Sequence, residues 1–270
     1  MVTAVTNRGP PMPMQTLYQP PATPARRVHV FDMAASPWQA TANPGLWLKP
    51  VRQDDVLGHY LGLVRFDAGT RSGLHQHQGV ATSFVVDGGL TDYHGALRLH
   101  EVGINYRGST HDAIAYRHTL LVSRLEAPVT YPPDSEISGV HAGSQHAAVL
   151  NEAPDMPPEI NIPVDEMLHE DTLLRGVRRQ LIFDYDGTGT DRRMVQLSLR
   201  PGTDIRFEAG ALTEFWVRGG LLAVCGTQAH ADCFVVCEPG ADVRLRSPYG
   251  ALLIAWAEDR ERSDGNLFGF

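Results

Sequence analysis

The chain has little of what marks a membrane, disulfide-bonded or phosphate-binding protein. Its longest clean apolar stretch, Ala251–Ala257, is far shorter than the ~20 residues a membrane helix needs, and no polybasic segment flanks it, so no membrane partner is expected. Only three cysteines occur in 270 residues, Cys225, Cys233 and Cys237, an odd number that does not read as a disulfide framework. The N-terminal residues lack a charged head followed by an apolar core and a small-residue cleavage site. A reducing, cytoplasmic setting is therefore the expectation. Lys and Arg number 23 against 31 Asp and Glu, a formal net charge of −8, which disfavours a surface that tracks phosphates and excludes nucleic acid as an expected partner. Sustained helical apolar stripes are also missing; only residues 164–174 could hold a short helix.

With 43% hydrophobic and 20% charged residues, the chain can build an ordinary globular core. Short β-rich runs alternate with Gly, Pro and Asp turn signals, as in all-β sandwiches and barrels. The clearest runs are residues 60–66, 83–87, 119–125, 194–199, 213–218, 234–237 and 252–256. Residues 1–26 carry Pro10, Pro11, Pro13, Pro20, Pro21 and Pro24 with little apolar periodicity, which suits an extended arm. Between about Pro128 and Pro163 the chain is rich in Pro, Ser, Gly and Asp, so it reads as a connection between two units.

The two halves resemble each other. The turn at Gly69–Thr70 matches Gly202–Thr203, a spacing of 202 − 69 = 133 residues. Phe84 before Gly88–Gly89 matches Phe215 before Gly219–Gly220, at 215 − 84 = 131, and Gly108 matches Gly240 at 240 − 108 = 132. Three ordered matches at nearly one spacing point to duplication of a β-domain.

The sharpest chemical feature is His75–Gln76–His77 after the Gly69 turn, with His111 34 residues beyond His77. On a strand, side chains at i and i+2 share a face, so His75 and His77 can offer imidazoles to one ion, and an adjacent strand could deliver His111. A chain with 12 histidines can also place two at this spacing on an exposed strand by chance; the flanking glycine turns and the third histidine favour the metal reading. Iron, zinc, manganese, nickel and copper all accept imidazole.

Gly69, His75, His77 and Gly88 resemble the first motif of the cupin superfamily, although the motif's Glu positions hold Ala81 and Thr82. The run 75–79 and the later Gly108–Ser109–Thr110–His111 look more like the branch with the zinc-binding cupin of an anti-sigma factor and with dioxygenases that cleave dihydroxyacetophenone and β-diketones. The resemblance implies an all-β fold of two tandem antiparallel jelly-roll barrels, a metal-binding cupin domain at 27–150 and a degenerate cupin domain at 176–270; composition adds the arm at 1–26 and a linker at 151–175. It further implies one divalent ion on His75, His77 and His111, Fe(II) favoured and Zn(II) the other option. The expected activity is that of an Fe(II) dioxygenase taking a small carbonyl substrate, a β-diketone or aromatic hydroxyketone, with dioxygen. The alternative is a non-catalytic zinc-binding or small-molecule-sensing module. Association into a homodimer is left open.

His94 and Glu101 are further candidates, each as a fourth ligand, a partner of a ligand or a substrate contact, against the bland readings of an outward strand histidine and a solvated turn carboxylate. In the second half, Glu208, Gly210 and Val243 fall near the positions of His75, His77 and His111, so that copy is expected to bind no metal. Glu214 lies near its carboxylate position and reads as a structural or solvated acid. Cys225, His230, Cys233 and Cys237 do not have the spacing of a paired-cysteine zinc ribbon, and small cysteines in a β-core are ordinary.

Overall fold

A computed structural model describes residues 27–54, 56–92, 95–131, 159–187, 190–258 and 265–268. The arm at 1–26, most of the expected linker and His94 lie outside the described residues.

All seven strand runs expected above form strands, and every pairing is antiparallel. The short helix expected within residues 164–174 reduces to the 3-10 turn Val164–Glu166, after which Glu170–Asp171 joins a sheet. No helix among the described residues is long and apolar enough to cross a membrane.

A seven-stranded sheet runs in the order Glu159–Pro163, Glu101–Asn105, Ala81–Asp87, Thr119–Leu125, His59–Phe66, Leu46–Asp54, Gln39–Ala40. The sheet of the C-terminal half runs Val28–Asp32, Cys233–Cys237, Thr213–Val224, Ala251–Ala257, Thr190–Leu199, Val177–Gly187, Glu170–Asp171, with Thr203–Ala209 and Ala241–Ser247 paired beside it. The first strand of each half has thus been exchanged. Val28–Asp32 pairs with Cys233–Cys237, and Glu159–Pro163 pairs with Glu101–Asn105. The segment 151–175, expected to be a linker, therefore supplies an edge strand to the N-terminal sheet.

The duplication persists in the hydrogen bonds. Thr41 Oγ1 donates within the turn to the Leu46 carbonyl as Thr172 Oγ1 donates to that of Val177. Lys49 Nζ reaches the Met33 carbonyl at 2.7 Å, and Gln180 Nε2 reaches the Val164 carbonyl at 2.8 Å. The Asp67 and Arg200 amides donate to the Gly45 and Gly176 carbonyls in turn. Both those glycines have positive φ, and a Cβ there would collide with the hydroxyl of Thr70 or Thr203.

Three apolar clusters explain what each layer buries. One lies within the C-terminal half, where Thr203–Ala209 alternates buried and exposed residues and points Ile205, Phe207 and Ala209 inward. Phe215 belongs to this cluster, edge-on to Phe207. A second joins the halves: Leu61, Phe84, Val102 and Ile104 pack with Met194, Trp216, Phe234 and Ile254. The third, in the N-terminal half, is smaller and contains Phe66, Val85, Leu90, Leu97, Ala113, Ala115 and Leu121.

An ion network also crosses between the halves. Glu214, fully buried, accepts from Arg52 Nε at 2.7 Å and from Arg124 Nε at 2.6 Å, while Arg124 also reaches Glu258 at 3.0 Å. Burial pushes the Glu214 carboxyl up, but the two guanidiniums reverse this and hold it at about 2. The acid at the motif position of the second copy is therefore structural.

Candidate metal centre

The turn at Gly69, with φ of +82°, leads into Thr70–Arg71, and the chain then leaves the ladder at Ser72–Leu74 before re-entering as His75–His77. Asp112 ties this irregular stretch down: it accepts from the Gly73 amide at 3.1 Å and pairs with the Arg71 guanidinium. Across the ladder His111 stands directly opposite His75, and on the other side Val129 stands opposite His77. Opposed and alternate residues share a face, so the three imidazoles meet.

His111 Nε2 lies 3.1 Å from both His75 Nε2 and His77 Nε2. All three residues are buried, and the group holds no carboxylate among the described residues. The orientation of two rings is fixed from behind. His75 Nδ1 donates to the Gly73 carbonyl at 2.7 Å, and His111 Nδ1 donates to Asp92 Oδ2 at 3.0 Å. In a neutral ring whose proton sits on Nδ1, Nε2 carries a lone pair. The lone pairs of His75 and His111 consequently face each other, an arrangement that repels unless a cation accepts both. For a metal–nitrogen distance of about 2.1 Å, ligands at right angles lie ~3.0 Å apart and tetrahedral ones ~3.4 Å, so the observed spacing fits. Burial, with the neighbouring imidazole of His111, pushes His75 down to about 3; burial and both neighbours push His77 down as well. These two imidazoles stay neutral at ordinary pH.

The other candidates resolve differently. Ala81 is packed in the sheet, and the Thr82 hydroxyl accepts from Trp256 Nε1 at 3.1 Å, so the positions where the motif carries Glu serve packing and the contact between halves. Glu101 is not part of the histidine group: its carboxylate accepts from the Arg98 amide at 2.7 Å and closes that turn. His94 lies outside the described residues. Of the four Cys and His residues singled out in the second half, His230 and Cys233 come together with Asp32, and Cys225 and Cys237 are not in that group. Asp92 and Asp112 were missed by sequence reasoning. Asp92 follows the Gly88–Gly89 turn by three residues, on the same run that drew attention to His94.

In the C-terminal half the pairing register shifts two of the expected correspondences by one residue. Thr203 pairs with Ser247 as Thr70 pairs with Ala115, and continuing along each ladder brings Phe207 opposite Val243 where His75 stands opposite His111. The extra residue in Ser72–Leu74 makes the N-terminal copy longer here. Phe207 and Ala209, rather than Glu208 and Gly210, occupy the places of His75 and His77, and Val243 occupies that of His111 as expected. All three are core residues, and Glu208 is exposed.

Comparisons with known proteins agree with an all-β antiparallel fold of cupin type. Residues 26–128 match the ChrR Cupin-like domain. A putative dioxygenase from Nostoc punctiforme has the same fold, with a TM-score of 0.72 at 14% identity over 93% of this chain and 88% of that one. A mutant form of oxalate decarboxylase from Bacillus subtilis gives 0.61 at 10% identity over 88% and 79%. The bacterial pirin YhhW from Escherichia coli, in complex with nickel(II), gives 0.57 at 10% identity over 86% and 98%. At such identities the likeness establishes the cupin fold alone. No curated protein matches the chain.

Proposed function

We propose that the protein is a metal-dependent oxygenase, an Fe(II) dioxygenase that cleaves a carbon–carbon bond in a small β-diketone or aromatic hydroxyketone. His75, His77 and His111 hold the ion. The observation that carries this reading is the convergence of three imidazole nitrogens without a carboxylate. A divalent ion held there keeps its full positive charge, so it supplies affinity for an enolate or phenolate oxygen and, as iron, redox chemistry with dioxygen.

The chain's own residues supply orientation and exclusion of water. Gly73 and Asp92 lock two rings, and burial of all three histidines keeps the site dry. Tyr131, largely exposed with its ring 6.2 Å from that of His75, offers an aromatic face to a substrate.

The match to the ChrR Cupin-like domain supports a second reading, a zinc-binding or small-molecule-sensing module. Elemental analysis of protein purified without added metal, paired with oxygen uptake by the Fe(II)-loaded protein on a panel of diketones and hydroxyketones, separates the two. The oxygenase reading expects uptake stoichiometric with cleavage. Zinc retention with no uptake across the panel would replace it with the binding module.

A further inference from the structure

A second group of donors stands on the other sheet. The exchanged strand Val28–Asp32 sets Asp32 directly opposite Cys233, and the turn through Asp232, at φ of +69°, returns the chain so that His230 lies beside both. The three donor atoms lie within 4.8 Å of one another. Two of them are held from behind by backbone. Asp32 Oδ1 accepts from the Ala34 amide at 2.9 Å, which leaves Oδ2 facing His230 Nε2 at 3.6 Å. His230 Nδ1 donates to the Ala231 carbonyl at 2.8 Å, so Nε2 of the neutral ring carries a lone pair turned toward a carboxylate oxygen.

We propose that Asp32, His230 and Cys233 form a second metal site, separate from the histidine cluster, that takes a borderline divalent cation such as Zn(II). A sulfur, an imidazole and one carboxylate suit zinc and its neighbours, not the oxygen-seeking magnesium or calcium. With ligands at about 2.0–2.3 Å, a tetrahedral ion sets its donors ~3.3–3.7 Å apart, which the Asp32–His230 separation already meets. The side chains of Asp32 and His230 are about half exposed, so water completes the coordination. Because three donors rather than a closed set hold it, this site fills at higher free metal than a four-ligand structural zinc.

Burial pushes the Cys233 thiol up, and the carboxylates of Asp32 and Asp232 act in the same direction against a hydrogen bond from the His230 backbone. The metal-free cysteine is thus a thiol, and binding releases its proton to solvent as the sulfur–metal bond forms. The bound ion would clip the end of the exchanged strand to the turn between the strands Thr227–His230 and Cys233–Cys237. Its consequence is mechanical: strand exchange becomes harder to undo, and the chain gains stability with metal concentration.

Cobalt(II) titration of the full-length protein tests this. A thiolate–cobalt bond gives a near-ultraviolet charge-transfer absorption that a centre made only of histidines cannot produce. The expected result is a sulfur band at saturating Co(II) that survives His75→Ala and Cys225→Ser and disappears in Cys233→Ser. The exposed variants His230→Ala and Asp32→Asn should each weaken the band's half-saturation at least tenfold, and they keep the test open if Cys233→Ser fails to fold. Absence of a sulfur band in the wild type, or a band abolished by Cys225→Ser, would overturn the proposal. Neither result bears on oxygen uptake at the histidine cluster.

Discussion

His75, His77 and His111 differ in how they are held, and the variants should differ accordingly. Replacing any of the three by Ala removes a direct ligand, so each should release the metal of the histidine cluster, as elemental analysis after dialysis would show. Unchanged metal content in all three would refute the assignment. Asp92 acts through His111 Nδ1, at 3.0 Å. Asp92→Asn should therefore keep the metal but weaken its affinity by about 10–100-fold, measured by competition with a chelator.

The strands show why one copy of the duplication keeps a centre and the other does not. Where His75, His77 and His111 converge in the N-terminal half, the C-terminal half places Phe207, Ala209 and Val243, and its interior is closed by apolar side chains. Phe215 fills this interior and is fully buried, so Phe215→Ala should cost about 3–5 kcal/mol of unfolding free energy in urea denaturation. Glu208 is exposed on the opposite face of its strand, and Glu208→Ala should leave both stability and metal content unchanged within error. Loss of a metal ion on this substitution would place Glu208, not Phe207, at the interior of the C-terminal ladder.

The whole molecule is joined by strand exchange, by an apolar layer and by a buried ion network. Glu214 sits between Arg52 and Arg124, so Glu214→Ala removes the carboxylate that both share and leaves them Glu258 and, for Arg124, Glu126; it should destabilise by about 2–4 kcal/mol. The same network sets an acid limit. The Glu214 carboxyl is depressed from 4.5 in an unfolded chain to about 2 in the fold, so its stabilisation is fully present above 4.5 and is lost as pH falls toward 2. Thermal melts of wild type and Glu214→Gln from pH 6 down to pH 2 should therefore converge at the acid end. Curves that stay parallel would assign the acid sensitivity elsewhere.

Residue alternation and turn chemistry made the strands legible in the linear chain, because both are local: the run 119–125 needs only its own side chains and the flanking turns to be recognised. The same holds for His75 and His77, whose shared face follows from the two-residue repeat of a strand. His111 was legible through its motif, while Asp92 and Asp112 were not, since their roles depend on which strands lie side by side. Register decided the correspondence of the halves. One extra residue at Ser72–Leu74 makes a fixed spacing point to Glu208 where the ladder points to Phe207. The exchange of Val28–Asp32 and Glu159–Pro163 and the grouping of Asp32 with His230 and Cys233 arise only in three dimensions. A strand's sequence specifies which face is apolar, whereas its neighbour is chosen by the edges left open once all the other strands have paired.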